Sequence, residues 1–268
     1  MKATLGYVRR ADQDFSMIEL GDHIAIGVSG GKDSLLLLYA LALYRHIKPG
    51  FTLRAIMLAS GPTPPDTAAI EALCQQLQVP FHVEPTQLYQ ILLAKSDGRS
   101  PCPLCARLRR AMLCDLCVQL GCNKLALGHH REDALETLLM SLIFEARLHT
   151  FHPKTCLEDT GVTVIRPLVY MPEKEIIHMV AKLRLPVLTN PCPANGHTRR
   201  QEMKNLLGEL GRRYPHLQRN MLGALRNREQ YGLWDLPADQ LHTFDEAGQS
   251  FPLAHSSKQS SSPPGNNG

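Results

Sequence analysis

Val28-Ser29-Gly30-Gly31-Lys32-Asp33-Ser34 brings two glycines, a cation, a carboxylate and two hydroxyls close together in sequence. The stretch before it, His23-Ile24-Ala25-Ile26-Gly27, is apolar and rich in strand formers, and Leu35 to Leu43 after it consists largely of strong helix formers. A strand that enters a glycine pair and leaves as a helix gathers free backbone N–H groups and the positive end of a helix dipole at one point. Such a point binds phosphate. Gly30 and Gly31 let the backbone approach a ligand closely and take a positive φ where needed. Lys32 adds a mobile cation, and Ser29 and Ser34 add hydroxyl donors. The spacing matches neither G-x-x-x-x-G-K-[ST] nor G-x-G-x-x-G, so this is not an ordinary P-loop or a dinucleotide fingerprint. A plain Gly-rich βα turn is the alternative, and the polar residues around the glycines weigh against it.

Eight cysteines make the second candidate chemistry. Cys102-Pro103-Leu104-Cys105 opens a helix expected from about residue 106, beside Arg107, Arg109 and Arg110. A helix N-terminus and neighbouring arginines both favour thiolates, which suits metal ligation and thiol exchange alike. Cys192 lies between Pro191 and Pro193 in an irregular stretch, Thr189 to His197. Thiolates from Cys102, Cys105 and Cys192 would suit an iron–sulfur cluster with one reactive iron left open. Zinc held by the same three and a fourth ligand such as His197 is the competing reading. Cys114, Cys117 and Cys122 fall among Leu113, Leu116 and Leu120 on a helix and read as core. Cys74 and Cys156 read as packing too.

Gly128-His129-His130-Arg131-Glu132-Asp133 joins a strand end to a helix start, the edge at which open parallel sheets bind ligands. Gly128 would permit close approach to a nucleotide. Asp133 would hold Mg²⁺ or cap its own helix. His129 and His130 lack metal-ligand spacing and divide evenly between function and structure. Arginines flank the cysteines on both sides: Arg107, Arg109 and Arg110, then Arg199, Arg200 and Lys204, with Arg212 and Arg213 further on. Together they favour a polyanionic partner over a merely solvated face.

These groups need a scaffold. Strands expected at 23–28, 53–58, 81–84 and 124–127 alternate with helices, which predicts an α/β fold with a parallel sheet and helices on both faces. Thr155 to Val169 reads as a hairpin or sheet extension. Asp66 is the expected N-cap of a helix reaching Leu77, and Pro172 opens another that reaches Leu183. Pro186 to Leu188 would be a short strand at most. Two C-terminal helices follow: Arg199 to Leu210, stopped by Gly211, and Pro215 to about Glu229. The division expected is a catalytic domain over 1–213, a helical extension over 214–247 and a disordered tail over 248–268.

The chain has 268 residues, 44% of them hydrophobic and 20% charged, a composition that fits a globular protein rather than a disordered or fibrous one. Its net charge of +4 permits a nucleic-acid partner without requiring one. The N-terminal segment lacks the apolar core of a signal peptide, and Leu35 to Tyr44 is too short to span a bilayer. A cytoplasmic protein with no membrane partner is expected. There, cysteines serve metal or redox chemistry more than disulfides.

With these pieces together, the chain resembles the tRNA 2-thiocytidine synthetases of the PP-loop ATPase superfamily, from about Met17 to Pro215. The resemblance rests on Ser29 to Ser34, Pro101 to Arg110 and Gly128 to Asp133, with support from Ile165-Arg166-Pro167-Leu168. It implies a fold of the HUP type and an enzyme that uses ATP and Mg²⁺, releasing AMP and pyrophosphate. It implies a tRNA substrate whose cytidine 2-carbonyl is adenylated and then exchanged for sulfur. Cys102, Cys105 and Cys192 match the family's [4Fe–4S] ligands, and Lys32 and Asp33 match its ATP-activating residues. Ser29, Gly30, Gly31, Ser34, Gly128, His129 and Asp133 would complete the nucleotide site. Sulfur would come through a cysteine desulfurase or another donor, and a homodimer stays open. Around Cys192 the family carries a second nearby cysteine that this chain lacks, and the end of the second strand lacks the usual polar residues. Alternatives are 2-thiouridine synthesis, lysidine synthesis, which needs no cysteine trio, and a non-enzymatic nucleotide-binding redox sensor.

Overall fold

The computed structural model describes residues 1–59, 65–88, 91, 102–188, 198–227, 242–244 and 250–252. Six strands form the main sheet: β1 (His23–Gly27), β2 (Thr52–Ala59), β3 (Phe81–Pro85), β4 (Lys124–Ala126), β5 (Lys154–Cys156) and β6 (Thr163–Ile165). Their order is β3-β2-β1-β4-β6-β5, all parallel except β5, which runs antiparallel to β6 at the edge. The order reverses between β1 and β4. That reversal is a topological switch point, where the loops leaving two neighbouring strands diverge and open a crevice.

Alternation along the strands sorts the core into two layers. Ile24 and Ile26 of β1 and Ala55 and Met57 of β2 face one side. They pack there with α1 (Lys2–Phe15), α2 (Lys32–Ile47), α3 (Ala68–Gln76) and α6 (Glu173–Leu183). Ala25, Ile56, Leu125 and Val164 face the other side, against α4 (Cys102–Gln119). Helix α2 is buried on nearly every side, with Leu35, Leu36, Leu37 and Leu38 all at 0% exposure. This explains a run of leucines with no amphipathic period. The helix α5 (Arg131–Glu145) packs against α7 (Arg199–Arg213), and α8 (Leu217–Arg226) follows.

The two compact units are Met1–Leu222 and Gly223–Gly268. In the second, β7 (His242–Phe244) and β8 (Ser250–Pro252) pair antiparallel, where a helical extension and a disordered tail are expected. Other differences are local. Thr67, not Asp66, is the N-cap of α3, while the Asp66 carboxylate accepts the Ala68 N–H at 3.1 Å. Residues 186–188 form no strand. Helix α7 runs through Gly211 to Arg213, because one glycine costs a helix only about 1 kcal/mol. Cys156 is exposed on the edge strand rather than packed. Among the described residues no helix is long and apolar enough to cross a membrane.

Candidate active site

The phosphate loop continues directly from β1. Val28 donates its N–H to the Ile56 carbonyl at 2.8 Å, holding the chain in line with the sheet for one residue more. The loop then closes on its own hydroxyls. Ser34 Oγ accepts the Ser29 N–H at 3.1 Å, donates to the Gly31 carbonyl at 2.9 Å and lies 3.2 Å from Ser29 Oγ. Gly30 has φ +79°, and a Cβ there would stand 2.9 Å from the Leu188 side chain. Its carbonyl accepts the Leu188 N–H at 2.9 Å. Gly31, with ordinary backbone, is the N-cap of α2, and no side chain caps that helix. The first-turn N–H groups are thus left for a ligand.

The second loop leaves β4 beside the first, since Ala126 is paired with Ile26. The sequence reading assigns Gly128 to close approach of a nucleotide, but the structure gives a different reason for this glycine. A Cβ would fall 2.9 Å from the Asp33 backbone, so Gly128 lets the two loops touch. Asp133 caps its own helix by accepting the His130 N–H at 2.9 Å. Its other oxygen accepts from Arg200 of α7 at 3.2 Å. Arg200 also reaches Glu136 at 3.4 Å and Thr137 Oγ1 at 3.3 Å, tying α7 to α5. Glu132 accepts the Glu173 N–H at 2.8 Å and thereby caps α6 from another element.

Lys32 Nζ lies 3.0 Å from Asp33 Oδ2 and 3.0 Å from Glu173 Oε1. Lys204 of α7 reaches the same Glu173 oxygen at 2.7 Å. Asp33 Oδ1 is buried and has no hydrogen-bond partner, with His130 Nε2 3.8 Å away. A buried carboxylate oxygen without a donor suits a cation.

Burial and charge split the titratable groups. Burial alone would lower the Lys32 pKa, but Asp33 and Glu173 outweigh it and hold the ammonium above its usual value. Burial would raise the Glu132 carboxyl, yet His130, Arg131 and the Glu173 N–H bring it down to about 2. Glu136 goes the other way: burial, helped by Asp133, pushes it up to about 7 against the pull of Arg200. His129 packs on Phe151 with ring centroids 5.0 Å apart, and its Nδ1 is buried without a partner. Burial, together with Arg166 and Arg200, lowers it to about 4 in spite of Asp133, so it is neutral at pH 7. His130 is buried, but Glu132, Asp133 and Asp33 raise its pKa.

Helix α4 begins at Cys102 and precedes β4, so its N-terminus lies toward the carboxyl edge of the sheet. Cys105, in the first turn, is half-buried, and Arg109 approaches its sulfur at 3.9 Å. The Cys102 side chain, Cys192 and His197 lie outside the described residues. Cys114, Cys117 and Cys122 are buried in the second core layer, as expected. Burial raises the pKa of all three thiols, which disfavours thiolate chemistry there.

A family model described as a PP-loop domain matches residues 8–209. A tRNA-cytidine(32) 2-sulfurtransferase from Pelobacter propionicus is 42% identical over 224 residues, covering 82% of this chain and 83% of the relative. The protein of the same name from Geobacter metallireducens is 43% identical over 232 residues, covering 85% and 90%. The chain belongs to the tRNA-cytidine(32) 2-sulfurtransferase family of PP-loop proteins. Among solved structures, the U34-tRNA thiolase NcsA from Methanococcus maripaludis, with its [4Fe–4S] cluster, superposes with a TM-score of 0.70 at 26% identity. The match covers 87% of this chain and 80% of that one.

Against this family background, several residues at the site escape the sequence reading. Glu173, Glu136 and Leu188 contact or support its two loops, and Glu132, quoted in the second motif, gains a role there only through its bond to Glu173. A partial signal was present for Glu173: an acidic residue just after Pro172 starts a helix, and helices of a parallel sheet start at the ligand-binding edge. Leu188 carries no such signal, being one apolar residue after a short extended stretch.

Proposed function

We propose that the protein is an ATP-dependent tRNA sulfurtransferase that converts an anticodon-loop cytidine to 2-thiocytidine. The reading is carried by one juxtaposition. Leu188, whose N–H bonds the Gly30 carbonyl of the phosphate loop, stands four residues before Cys192 in the sequence. The activating loop and the chain that leads to a candidate sulfur-handling thiol are therefore joined. The names of the 42–43% identical relatives support the same substrate.

The cytidine 2-carbonyl is a poor electrophile until its oxygen is esterified. That oxygen attacks the α-phosphorus of ATP, and the bond to the β-phosphate oxygen breaks. The N-terminal N–H groups of α2, with Ser29, Gly30, Gly31 and Ser34, take up charge developing on pyrophosphate, and Lys32 adds its cation. Asp33 would hold Mg²⁺, which its unpartnered Oδ1 suits, whereas both oxygens of Asp133, the other candidate ligand, are taken by the His130 N–H and Arg200. Gly128 and His129 complete the site wall. Sulfur at the sulfide level (HS⁻) then adds at C2, the C2–O bond breaks and AMP leaves with the oxygen; where the donor is a persulfide, a thiol reductant supplies the two electrons that bring its sulfur to that level. Cys102, Cys105 and Cys192 would hold the [4Fe–4S] cluster, which when bound offers an open iron to carry sulfur. Zinc is the competing metal. Arg107, Arg109, Arg110 and Arg199 hold tRNA phosphates, Arg200 being engaged by Asp133 and Glu136, and the target base must leave its stack to be reached. Sulfur arrives through a cysteine desulfurase or another donor, in the cytoplasm. We assign the chemistry to residues 1–213 and treat 214–268 as one C-terminal extension, because β7 and β8 pair across the 247/248 boundary expected between a helical extension and a disordered tail.

Anaerobic purification with iron and sulfide analysis tests the metal: iron and sulfide in the wild type and their loss in Cys192→Ala are expected, and a zinc-loaded, colourless protein overturns the cluster. Nucleoside analysis of tRNA from a deletion strain tests the product. The likeness to a U34-tRNA thiolase makes 2-thiouridine the second reading, and its loss in place of 2-thiocytidine would favour it.

A further inference from the structure

One carboxylate oxygen stands between two lysines on different helices. Glu173 Oε1, at the first turn of α6, is 3.0 Å from Lys32 of the phosphate loop and 2.7 Å from Lys204 of α7. The carboxylate is nearly buried, at 13% side-chain exposure, while Lys32 is 31% and Lys204 45% exposed. Its position is set from outside its own helix, because Glu132 accepts the Glu173 N–H at 2.8 Å. Pro172 gives α6 no side-chain cap of its own, so the first turn of α5 supplies it. Three elements of the site thus converge on Glu173.

We infer that Glu173 is a positioning residue for Lys32, which it draws away from the phosphates and shares with Lys204. This rests on the reading of the loop as an ATP site. Lys32 is divided between Asp33 and Glu173. A phosphate at the N-terminus of α2 competes with Glu173 for the same ammonium. When Lys32 transfers to the phosphate, Glu173 keeps Lys204 as its remaining lysine. That lysine lies on the helix that follows the Cys192 segment in the chain, so nucleotide occupancy alters the charge balance that docks this helix. Lys204 in turn weakens the hold on Lys32 by competing for the oxygen. The two residues therefore act on Lys32 in opposite directions.

The test is equilibrium binding of α,β-methylene-ATP to the full chain by calorimetry. Glu173→Gln tightens binding and Lys204→Gln weakens it, each by about fivefold, the scale of a partly exposed ion pair. General electrostatics near the site would give the same signs, so both substitutions are repeated in a Lys32→Met background. There the proposal expects neither to change the dissociation constant, and unchanged effects overturn it. Equal loss of binding in both single variants also overturns it, because that is the mark of a merely structural role. If Glu173→Gln does not fold, the Lys204→Gln pair decides alone. Hydrogen exchange gives an independent readout: analogue binding slows exchange over 199–213 in the wild type and not in Lys204→Gln, and slowing in both contradicts the proposal. Failure of the wild type itself to bind the analogue would overturn the ATP reading before any variant is made.

Discussion

A Cβ on Gly128 would lie 2.9 Å from the carbonyl carbon of Asp33, so the loops after β1 and β4 meet backbone to backbone. No side chain is available at that contact to rotate away. Gly128→Ala must therefore separate the loops by a few tenths of an ångström. Destabilisation of about 1–3 kcal/mol is expected, as for overpacking elsewhere, with weaker nucleotide binding. Urea unfolding and analogue titration measure the two, and wild-type values in both would show that the loops tolerate a gap.

Lys32 and Asp33 belong to the proposed activating loop and are not among the proposed cluster ligands. Lys32→Ala should lower ATP-dependent tRNA thiolation by about a hundredfold or more, the usual scale for losing one transition-state donor. Iron content should not change. Thiolation by Lys32→Ala at the wild-type rate would exclude this loop as the ATP site.

Arg200 bridges Asp133 at 3.2 Å and the buried Glu136 at 3.4 Å. Arg200→Ala leaves Glu136 without its counter-charge and unties α7 from α5. Because Arg200 is 44% exposed, the expected stability loss is about 1–2 kcal/mol rather than the larger cost of a fully buried pair. Adding Glu136→Gln should recover most of it, which thermal melts of the single and double variants would reveal.

His129 and Glu132 make the fold sensitive to acid. His129 has a folded pKa of about 4 against an ordinary 6.5, so the unfolded chain binds more protons between those values. Its contribution is complete above pH 6.5 and is lost as the pH falls toward 4. Glu132, at about 2 against 4.5, loses its contribution in the window below that. His129→Asn should reduce the stability lost between pH 7 and pH 5 by about 1–2 kcal/mol. Denaturant melts at the two pH values test this, and equal slopes in wild type and variant would remove His129 as the cause.

Cys117 is fully buried and burial raises its thiol pKa; Cys105 is half-buried, with Arg109 at 3.9 Å from its sulfur. Cys117→Ser should cost about 1–3 kcal/mol by burying a hydroxyl, with iron per folded molecule unchanged. Cys105→Ser should do the reverse, and metal analysis alongside melts separates them.

What was legible in the chain was local. The glycine pair of the phosphate loop, the apolar strand before it and the leucine-rich helix after it are neighbours in sequence, and their pattern specifies a strand–loop–helix. Burial of Cys114 and Cys117 followed from helical spacing among leucines. The rest depends on contacts between distant segments. Whether Gly128 faces a ligand or Asp33 depends on strand order, which periodicity does not contain. Glu173 and Arg200 gain their roles only once α6 and α7 lie over the two loops. Gly211 misled because a glycine ends a helix only where the chain needs a positive φ, and here α7 continues through it.

The bond from Leu188 to Gly30 has a consequence for biosynthesis. A growing polypeptide emerges from the ribosome N-terminus first, so residues 29–34 are exposed long before Leu188 is made. Until then Gly30 lacks both the amide that holds its carbonyl and the side chain against its α-carbon. The fully braced loop therefore forms only after most of the domain has been translated, and the nucleotide site matures late in synthesis.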